Sequence, residues 1–194
     1  PHWNDKQAGV LVALDEIGNP QEGMRIVHIV GTNGKGSVGA MMARALRETG
    51  EVVGHFSSPH VLRYNERIRI DGMEISDDEI EAIRTYLDQK KVQPLTYFQE
   101  SLVIALEHFK RKGVTIAIVE AGIGGQDDIT NVLQTELQVV ARISMDHMHR
   151  LGFTLAEIAH HKAGVFEPDG MSVSCDQDSE VETTLLAVAE VRRN

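Results

Sequence analysis

Cysteine is almost absent from this chain of 194 residues, in which Cys175 stands alone. A single cysteine cannot form a disulfide within the chain, and such low usage fits a reducing compartment. The chain also lacks an apolar run long enough to cross a bilayer, and it does not open with a signal-peptide pattern. These absences predict a cytoplasmic protein that does not enter the membrane.

Positive charge is also scarce. The chain has 19 Lys and Arg residues against 29 Asp and Glu residues, which gives a formal net charge of −10. Nucleic acids and anionic membrane surfaces bind basic faces, so this balance argues against both as partners. The 42% of hydrophobic and 25% of charged residues are those of an ordinary globular protein, long enough for one large domain.

A glycine-rich loop follows the first strand-like segment of the chain. The apolar run that ends at Val30 leads into Gly31-Thr-Asn-Gly-Lys-Gly-Ser37, and a helical pattern begins directly afterwards. A strand, a tight glycine loop and a helix N-terminus together bind phosphate, because backbone N–H groups converge there and Lys35 adds a positive charge. The hydroxyl of Ser37 can reach the Mg²⁺ that accompanies a nucleotide triphosphate. The strict pattern G-x-x-x-x-G-K-[ST] is not matched, so the alternatives are a variant nucleotide site, which we favour, and an ordinary turn.

Strand-like and helix-like segments alternate along the whole chain. The predicted strands are 24–30, 52–56, 66–70, 114–119, 137–143 and 171–174. The predicted helices are 5–17, 37–49, 76–89 and 97–111, with two more that begin near 154 and 179. This order predicts an α/β fold with a P-loop and a mostly parallel, doubly wound sheet flanked by helices. Ligands of such sheets bind at the carboxyl ends of the strands.

Polar residues follow the predicted strands at that edge. They are Ser58 after the second strand, Glu120 after the fourth, and Asp146 and His147 after the fifth. One carboxylate in such a place is often only a solvated strand end, and one histidine is more often a hydrogen-bonded loop residue. Several strands that end in this way favour a site instead. Hard oxygen ligands suit Mg²⁺, and His147 can complete a second metal site.

Four ordered blocks of the sequence carry a family resemblance. They are residues 31–37, residues 57–68 (Ser-Ser-Pro-His-Val-Leu-Arg-Tyr-Asn-Glu-Arg-Ile), residues 120–131 (Glu-Ala-Gly-Ile-Gly-Gly-Gln-Asp-Asp-Ile-Thr-Asn) and residues 146–165. Together they resemble the N-terminal ATPase region of folylpolyglutamate synthase and of its bifunctional dihydrofolate synthase relatives, within the Mur ligase superfamily. The resemblance runs from about residue 25 to residue 175.

The resemblance implies a role for each matching position. ATP phosphates would be bound by Thr32, Asn33, Gly34, Lys35, Gly36 and Ser37. Magnesium ions would be coordinated by Ser37, Ser58, Glu120, His147 and Lys162, the last as a carbamate formed with CO₂. Carbamylation makes chemical sense, because it turns a cation into an anion that can bind a metal. The implied catalytic residues are Lys35, His147 and Lys162.

The resemblance also implies which residues face the substrate. The pterin or the growing glutamate tail would lie against Ser57, Pro59, His60, Arg67 and Asp128. Many family members have Arg-Leu before that aspartate, where this chain has Gln126-Asp127, a difference that bears on substrate choice. The implied substrates are a folate (dihydropteroate or a reduced folylpolyglutamate) and glutamate. The implied reaction is ATP-dependent amide formation through an acyl phosphate.

The length of the chain leaves several alternatives for its function. Members of this family continue well beyond such a length, so we expect residues 1–194 to be a partial N-terminal ATP-binding domain without the C-terminal glutamate-ligase domain. The chain alone would then be inactive and, with an unfinished sheet edge, prone to self-association, whereas intact relatives would be monomers. The alternatives are a short nucleotide-binding homologue that acts as a partner or regulator, and a Mur-type ligase for another acid. The block at 57–68 argues against the last.

Overall fold

A mostly parallel sheet lies at the centre of the protein, for which a computed structural model describes residues 4–194. Its seven strands are β1 (Arg25–Val30), β2 (Val53–Phe56), β3 (Ile68–Ile70), β4 (Met73–Glu74), β5 (Ile116–Glu120), β6 (Leu137–Val140) and β7 (Ser172–Ser174). Their order is β4-β3-β2-β5-β1-β6-β7, and only β3 and β4 run antiparallel to their neighbours. The predicted fold class is confirmed. Of the domain predicted over 1–194, residues 1–3 lie outside the described part.

Helices cover both faces of the sheet, but unevenly. The helices are α1 (Asp5–Glu16), α2 (Lys35–Arg47), α3 (Asp77–Gln89), α4 (Tyr97–Arg111), α5 (Met148–Leu151), α6 (Leu155–Ala163) and α7 (Ser179–Arg192). Two buried clusters join α1, α3, α4, α6 and α7 to one face. The other face packs against α2, the helix after the glycine-rich loop. Because β1 lies between β5 and β6, that loop leaves the middle of the sheet.

The contact of α2 with the sheet depends on the absence of a side chain at Gly39. A Cβ atom at this position would lie 2.5 Å from Nε2 of His55 on β2. That distance is shorter than any real contact of a Cβ atom, so the helix can approach β2 this closely only with glycine there. The buried imidazole of His55 has its pKa lowered to about 4, first by burial and then by the charge of Arg69.

The prediction of a strand over residues 66–70 is wrong for its first half. Residues Tyr64–Arg67 form a 3₁₀ helix, and only Ile68–Ile70 are extended. The cause is Glu66, whose carboxylate accepts hydrogen bonds from the backbone N–H groups of Val61, Leu62 and Arg63 at 2.8, 2.7 and 2.8 Å. These bonds close the chain into a tight turn, and they lower the pKa of Glu66 to about 2.

Other predicted boundaries move by a few residues. The predicted helix 37–49 begins two residues earlier, because Gly34 takes a left-handed conformation (φ 86°) and α2 begins at Lys35. The predicted strand 137–143 ends at Val140, since the chain then turns to hydrogen-bond with the glycine-rich loop. Glu120 is the last residue of β5 and does not follow it. The short strand β4 has no counterpart in the sequence prediction.

Two surface properties bear on partners. Within residues 4–194, the helices are all too short or too polar to span a bilayer. Strand β7 forms one edge of the sheet, and within the same residues its outer side pairs with no further strand. Two apolar side chains stand at this edge, with Met171 63% and Val173 52% exposed. Self-association through this edge stays a prediction.

Candidate functional site

A cleft of about 1080 Å³ opens at the carboxyl edge of the sheet. It brings together residues from all four sequence blocks. The predicted site residues that line it are Thr32, Lys35, Ser58, Pro59, Arg67, Asp128 and His147. The blocks are far apart in sequence, and they meet because β1, β2 and β5 are parallel and end at this edge.

The glycine-rich loop, which we call the phosphate loop (residues 31–37), is tied to the segment after β6. The backbone N–H groups of Thr32 and Asn33 donate to the carbonyl of Arg142 at 2.9 and 3.1 Å. Their side chains bond to Ser144, at 3.0 Å from Thr32 Oγ1 to its carbonyl and at 2.9 Å from Asn33 Nδ2 to its hydroxyl. Thr32 and Asn33 therefore shape the loop, and the N–H groups at the start of α2 remain for a ligand.

Gly31 allows the loop to pass close to β6. It has a φ of 146°, and a Cβ atom there would lie 2.8 Å from the Cβ of Ala141. Only glycine meets both conditions. Its carbonyl oxygen then points to the two lysines that the resemblance makes catalytic.

Two lysine side chains converge on the carbonyl oxygen of Gly31. Nζ of Lys35 donates to it at 3.2 Å, and Nζ of Lys162, from α6, donates to it at 2.8 Å. Lys162 is only 4% exposed. Burial, and then the nearby charge of Lys35, lower the pKa of Lys162 to about 8. At neutral pH Lys162 therefore stays mostly protonated, but the fraction present as the neutral amine is far larger than for an ordinary surface lysine.

Glu120 supplies a carboxylate beside these lysines. Its Oε1 lies 3.7 Å from Nζ of Lys35, and its Oε2 accepts the backbone N–H of Ser58 at 3.3 Å. The side chain is buried, and burial raises the pKa of Glu120, although the charge of Lys35 opposes this. Both contacts are long for a buried carboxylate, which therefore has capacity to bind a further cation.

The oxygen atoms around Glu120 fit Mg²⁺. A carboxylate and the hydroxyls that the sequence predicts beside it, those of Ser37 and Ser58, are the hard ligands that this ion prefers. Within residues 4–194, no group of three or more His, Cys, Asp and Glu side chains is placed to hold a metal. The predicted ligand set does not need such a group, because it contains only Glu120 and His147 of those types.

His147 lies in the same cleft but apart from this group. It has a left-handed backbone (φ 47°) before α5, and its side chain is 41% exposed. Its Nε2 is 3.6 Å from Oδ2 of Asp146, and its backbone N–H donates to Oδ1 of the same residue at 2.7 Å. In the described part of the chain, no hydrogen bond or ion pair joins His147 to Glu120. The structure thus gathers Lys35, Ser58, Glu120 and Lys162, and leaves His147 at the rim.

A second wall of the cleft, which we call the opposite wall, begins with the loop from Ser57 to Arg67 and adjoins the phosphate side at Ser58, whose backbone N–H donates to Glu120. The backbone N–H of Ser57 donates to the carbonyl of Arg67 at 2.9 Å, which closes the loop. Arg67 is buried, its Nε donates to Nδ1 of His60 at 2.8 Å, and its guanidinium lies 5.3 Å from the centre of the Tyr97 ring. The peptide bond before Pro59 is cis. This side of the loop is fixed by internal contacts.

The loop from Ala121 to Asn131 completes that wall. Asp128 is buried, and burial raises the pKa of its carboxyl, although hydrogen bonds oppose the shift. Gln7 on α1 holds the same loop, since its Nε2 donates to the carbonyls of Gln126 and Asp128 at 2.9 and 3.0 Å.

Three residues that support this wall through hydrogen bonds were not predicted from the sequence: Gln7, His28 and Thr130. Gln7 and His28 carried a usable signal, because each is a polar residue at a position where an apolar one is expected, in a helix and in a strand. Both are almost fully buried. Buried polar groups need partners, so such residues point to a hydrogen-bond network.

Known proteins are similar to this chain over most of its length. The family model "Mur ligase middle domain" matches residues 29–191. The folylpolyglutamate synthase of Lacticaseibacillus casei is 36% identical over 166 residues, and the dihydrofolate synthase/folylpolyglutamate synthase of Haemophilus influenzae is 39% identical over 162 residues. These alignments cover 81% and 80% of this chain but 39% and 37% of the two relatives. The resemblance found in the sequence is confirmed.

Solved structures show the same relation in three dimensions. The FPGS complex with AMPPCP and folate matches all of this chain with a TM-score of 0.89 at 31% identity, and the chain covers 50% of it. The Mycobacterium tuberculosis folylpolyglutamate synthase complexed with ADP gives a TM-score of 0.89 at 31% identity, with 99% and 46% covered. This chain therefore spans about half the length of the solved structures that it matches.

Proposed function

Because the chain belongs to the family of the Mur ligase middle domain, we propose that it is the ATP-binding part of a ligase that joins glutamate to a folate carboxylate. The observation that carries this proposal is the convergence of Lys35, Lys162 and Glu120 around the phosphate loop, opposite a wall built from residues 57–67 and 121–131. One side suits the phosphates of ATP, and the other offers a surface for the acid.

In this proposal the phosphate loop binds the β- and γ-phosphates of ATP. The free N–H groups at the start of α2 donate to phosphate oxygens, and Lys35 leaves the carbonyl of Gly31 to neutralise the charge that develops on the γ-phosphoryl group. Ser37, Ser58 and Glu120 would hold Mg²⁺, which when bound would neutralise phosphate charge as a Lewis acid. No residue of the chain has to act as a covalent nucleophile.

The reaction proceeds in two displacements. A carboxylate oxygen of the folate attacks the γ-phosphorus, so that the bond to ADP breaks and an acyl phosphate forms. The neutral amine of glutamate then attacks the acyl carbon, phosphate leaves, and the amine loses a proton as the amide forms. A free carboxylate is a poor electrophile, and its phosphorylation makes the second step possible. The protein contributes position and charge.

Lys162 is the proposed site of the carbamate. Its amine is buried and partly neutral, which is the form that adds to CO₂, and it faces the phosphate loop. The carbamate would serve as an anionic ligand of a second Mg²⁺, with His147 as its partner. Ser57, Pro59, His60, Arg67 and Asp128 belong to the wall proposed for the pterin or the glutamate tail.

The test compares ligation by the intact ligase, of which we propose this chain is a part, with ligation by the chain alone. Each protein is incubated with ATP, Mg²⁺, radiolabelled glutamate and either dihydropteroate or tetrahydrofolate. We expect the intact ligase to release phosphate and form the conjugate, and the chain of 194 residues to bind MgATP weakly and form none. Robust ligation by this chain alone would contradict its proposed role as a part.

A second candidate is a nucleotide-binding protein without ligase activity, acting as a partner or regulator. It needs only the phosphate loop with Lys35, both of which this chain contains. The same experiment separates the two functions. ATP binding without conjugate formation by the intact protein, with either acid, would favour the second candidate.

A further inference from the structure

A buried chain of hydrogen bonds runs from the central strand β1 to the wall of the cleft. Nε2 of His28 lies 2.8 Å from Oγ1 of Thr130, and this hydroxyl donates to Oδ1 of Asp128 at 2.6 Å. All three side chains are buried, with exposures of 1%, 0% and 7%. His28 stands three residues before Gly31, so the strand that carries the phosphate loop also reaches the opposite wall.

The chemistry of the hydroxyl fixes the direction of these bonds. Thr130 has one hydroxyl proton, which it donates in a hydrogen bond to Asp128. The carboxylate acts as an acceptor here, because it also accepts the backbone N–H groups of Thr130 and Ile123 at 3.0 and 2.9 Å. Thr130 must then accept from His28, so the proton of the imidazole is on Nε2. The other ring nitrogen, Nδ1, is buried and has no hydrogen-bond partner among residues 4–194, as expected for a neutral ring.

Asp128 in turn sets the position of the turn at Gly122 and Ile123, which lines the cleft. Its Oδ2 accepts the N–H of Ile123, and a Cβ atom at residue 122 would lie 3.2 Å from that oxygen and 2.8 Å from the ring of Phe98. The turn is therefore confined between a carboxylate and an aromatic ring. A change in the position of Asp128 would move the surface against which the acid lies.

We propose that His28 and Thr130 are positioning residues for the acid substrate, acting through Asp128 and the turn at Gly122 and Ile123. This inference rests on the proposed function for the identity of the acid. The hydrogen-bond chain itself belongs to the described structure. Loss of the Thr130 hydroxyl leaves Asp128 with fewer donors and His28 without an acceptor, while the phosphate loop keeps its contacts with Arg142 and Ser144. Binding of the acid is weakened, and binding of ATP is not.

The first experiment uses the chain of 194 residues and needs no catalysis. We compare Thr130→Val, which removes the hydroxyl, with Thr130→Ser, which keeps it. Thr135→Val is the matched control, because it removes a buried hydroxyl that accepts from Gln138 at 2.7 Å and lies outside the cleft lining. Nitrogen-15 NMR reports the tautomer of His28, and hydrogen exchange reports the amide of Ile123.

We expect the Nε2–H tautomer in the wild type, in Thr130→Ser and in Thr135→Val. Thr130→Val should alter the His28 signals and speed exchange at Ile123 about tenfold, the effect of losing roughly one charge-assisted hydrogen bond. A proton on Nδ1 in the wild type, or unchanged exchange in Thr130→Val, would overturn the proposal.

The second experiment measures KM for tetrahydrofolate and for ATP in the intact ligase. Thr130→Val should raise KM for tetrahydrofolate about tenfold and leave KM for ATP unchanged, and Thr130→Ser should restore the wild-type value. An equal rise in both constants would assign the hydroxyl a merely structural role and overturn the inference. An intact protein that forms no conjugate would contradict the proposed function, while NMR and exchange would still decide the hydrogen-bond chain.

Discussion

On the phosphate side of the cleft two lysine side chains share one carbonyl oxygen, whereas on the opposite wall the carboxylates of Asp128 and Glu66 are each satisfied by several donors. The phosphate side holds excess positive charge around the long contacts of Glu120. The carboxylates of the opposite wall have several donors from the protein itself. Binding of an anionic ligand should therefore stabilise and rearrange the phosphate side, whereas the opposite wall should change little.

The largest expected effect tests the positive charge of the phosphate side. Lys35→Ala should lower ATP-dependent turnover of the intact ligase by at least about 10³-fold, because the transferred phosphoryl group loses its main protein countercharge. Steady-state phosphate release measures this effect, and equilibrium binding of AMPPCP to the chain of 194 residues gives the ground-state part. Lys90→Ala, a change at an exposed lysine outside the cleft lining, is the control. Near-normal turnover in Lys35→Ala would remove the loop from the mechanism.

The next prediction concerns the second lysine at the same oxygen. With ¹³C-labelled CO₂, the wild-type chain should give a carbamate carbon signal that Lys162→Arg abolishes, because the guanidinium stays charged and does not add CO₂. In the intact ligase Lys162→Ala should lose at least about a hundredfold in turnover, the scale of one removed electrostatic group. Unchanged activity in Lys162→Ala would end the assignment.

A smaller expected effect concerns how folding stability depends on pH, to which a buried histidine near each side of the cleft contributes. The pKa values of His28, near the opposite wall, and His55, beneath α2, are both lowered to about 4 by burial. The unfolded chain therefore takes up protons first as the pH falls from about 6.5 towards 4, and folding stability present at neutral pH is lost over that range. At pH 5 we expect a loss on the order of 2 kcal/mol for each histidine, relative to pH 7.5.

Urea unfolding of the chain at both pH values measures this loss. His55→Gln should remove on the order of 2 kcal/mol of the pH dependence, because one buried imidazole no longer titrates. His28 and the buried His108, whose pKa is also lowered by burial, still titrate in this variant. The exposed His149→Gln is the matched control and should behave as the wild type. A wild type equally stable at pH 5 and pH 7.5 would contradict the assignment of both rings as buried and neutral.

The smallest effect is local and tests how firmly the opposite wall is formed in advance. Glu66→Gln replaces one carboxylate oxygen with an NH2 group, which cannot accept a hydrogen bond, so at least one of the N–H groups of Val61, Leu62 and Arg63 loses its acceptor. Amide exchange over these residues should speed by roughly tenfold, and global stability should change by less than about 1 kcal/mol. Glu182→Gln, on the exposed side of α7, is the control. Unchanged exchange would show that other contacts hold the turn.

The sequence was sufficient for features that depend on local pattern. The apolar run of β1 and the glycine loop predicted a strand, a turn and a helix, and the capping boxes at Ser76 and Thr154 marked α3 and α6. The parallel sheet followed from the alternation of elements. From that sheet it followed in turn that Ser58 and Glu120 would meet the phosphate loop.

The remaining features depend on contacts that are distant in sequence or on a single long side chain. Alternating Arg and Ile predicted a strand from residue 66, but the carboxylate of Glu66 found three backbone donors and made a 3₁₀ helix. Nothing local shows that Lys162 would donate to Gly31, 131 residues away. The same holds for His28 and Thr130, whose partners lie on different loops and strands.

The close approach of α2 to β2 has a consequence for how the sequence can vary. The space next to Gly39 is filled by the His55 imidazole, so a methyl group on the helix at residue 39 would overlap the ring. A larger residue at 39 becomes acceptable only when 55 becomes smaller, so the two positions should show strong epistasis, with each change harmful alone and tolerated as a pair. Substitutions in the helix that starts at Lys35 are therefore limited in part by a histidine on the strand beneath it.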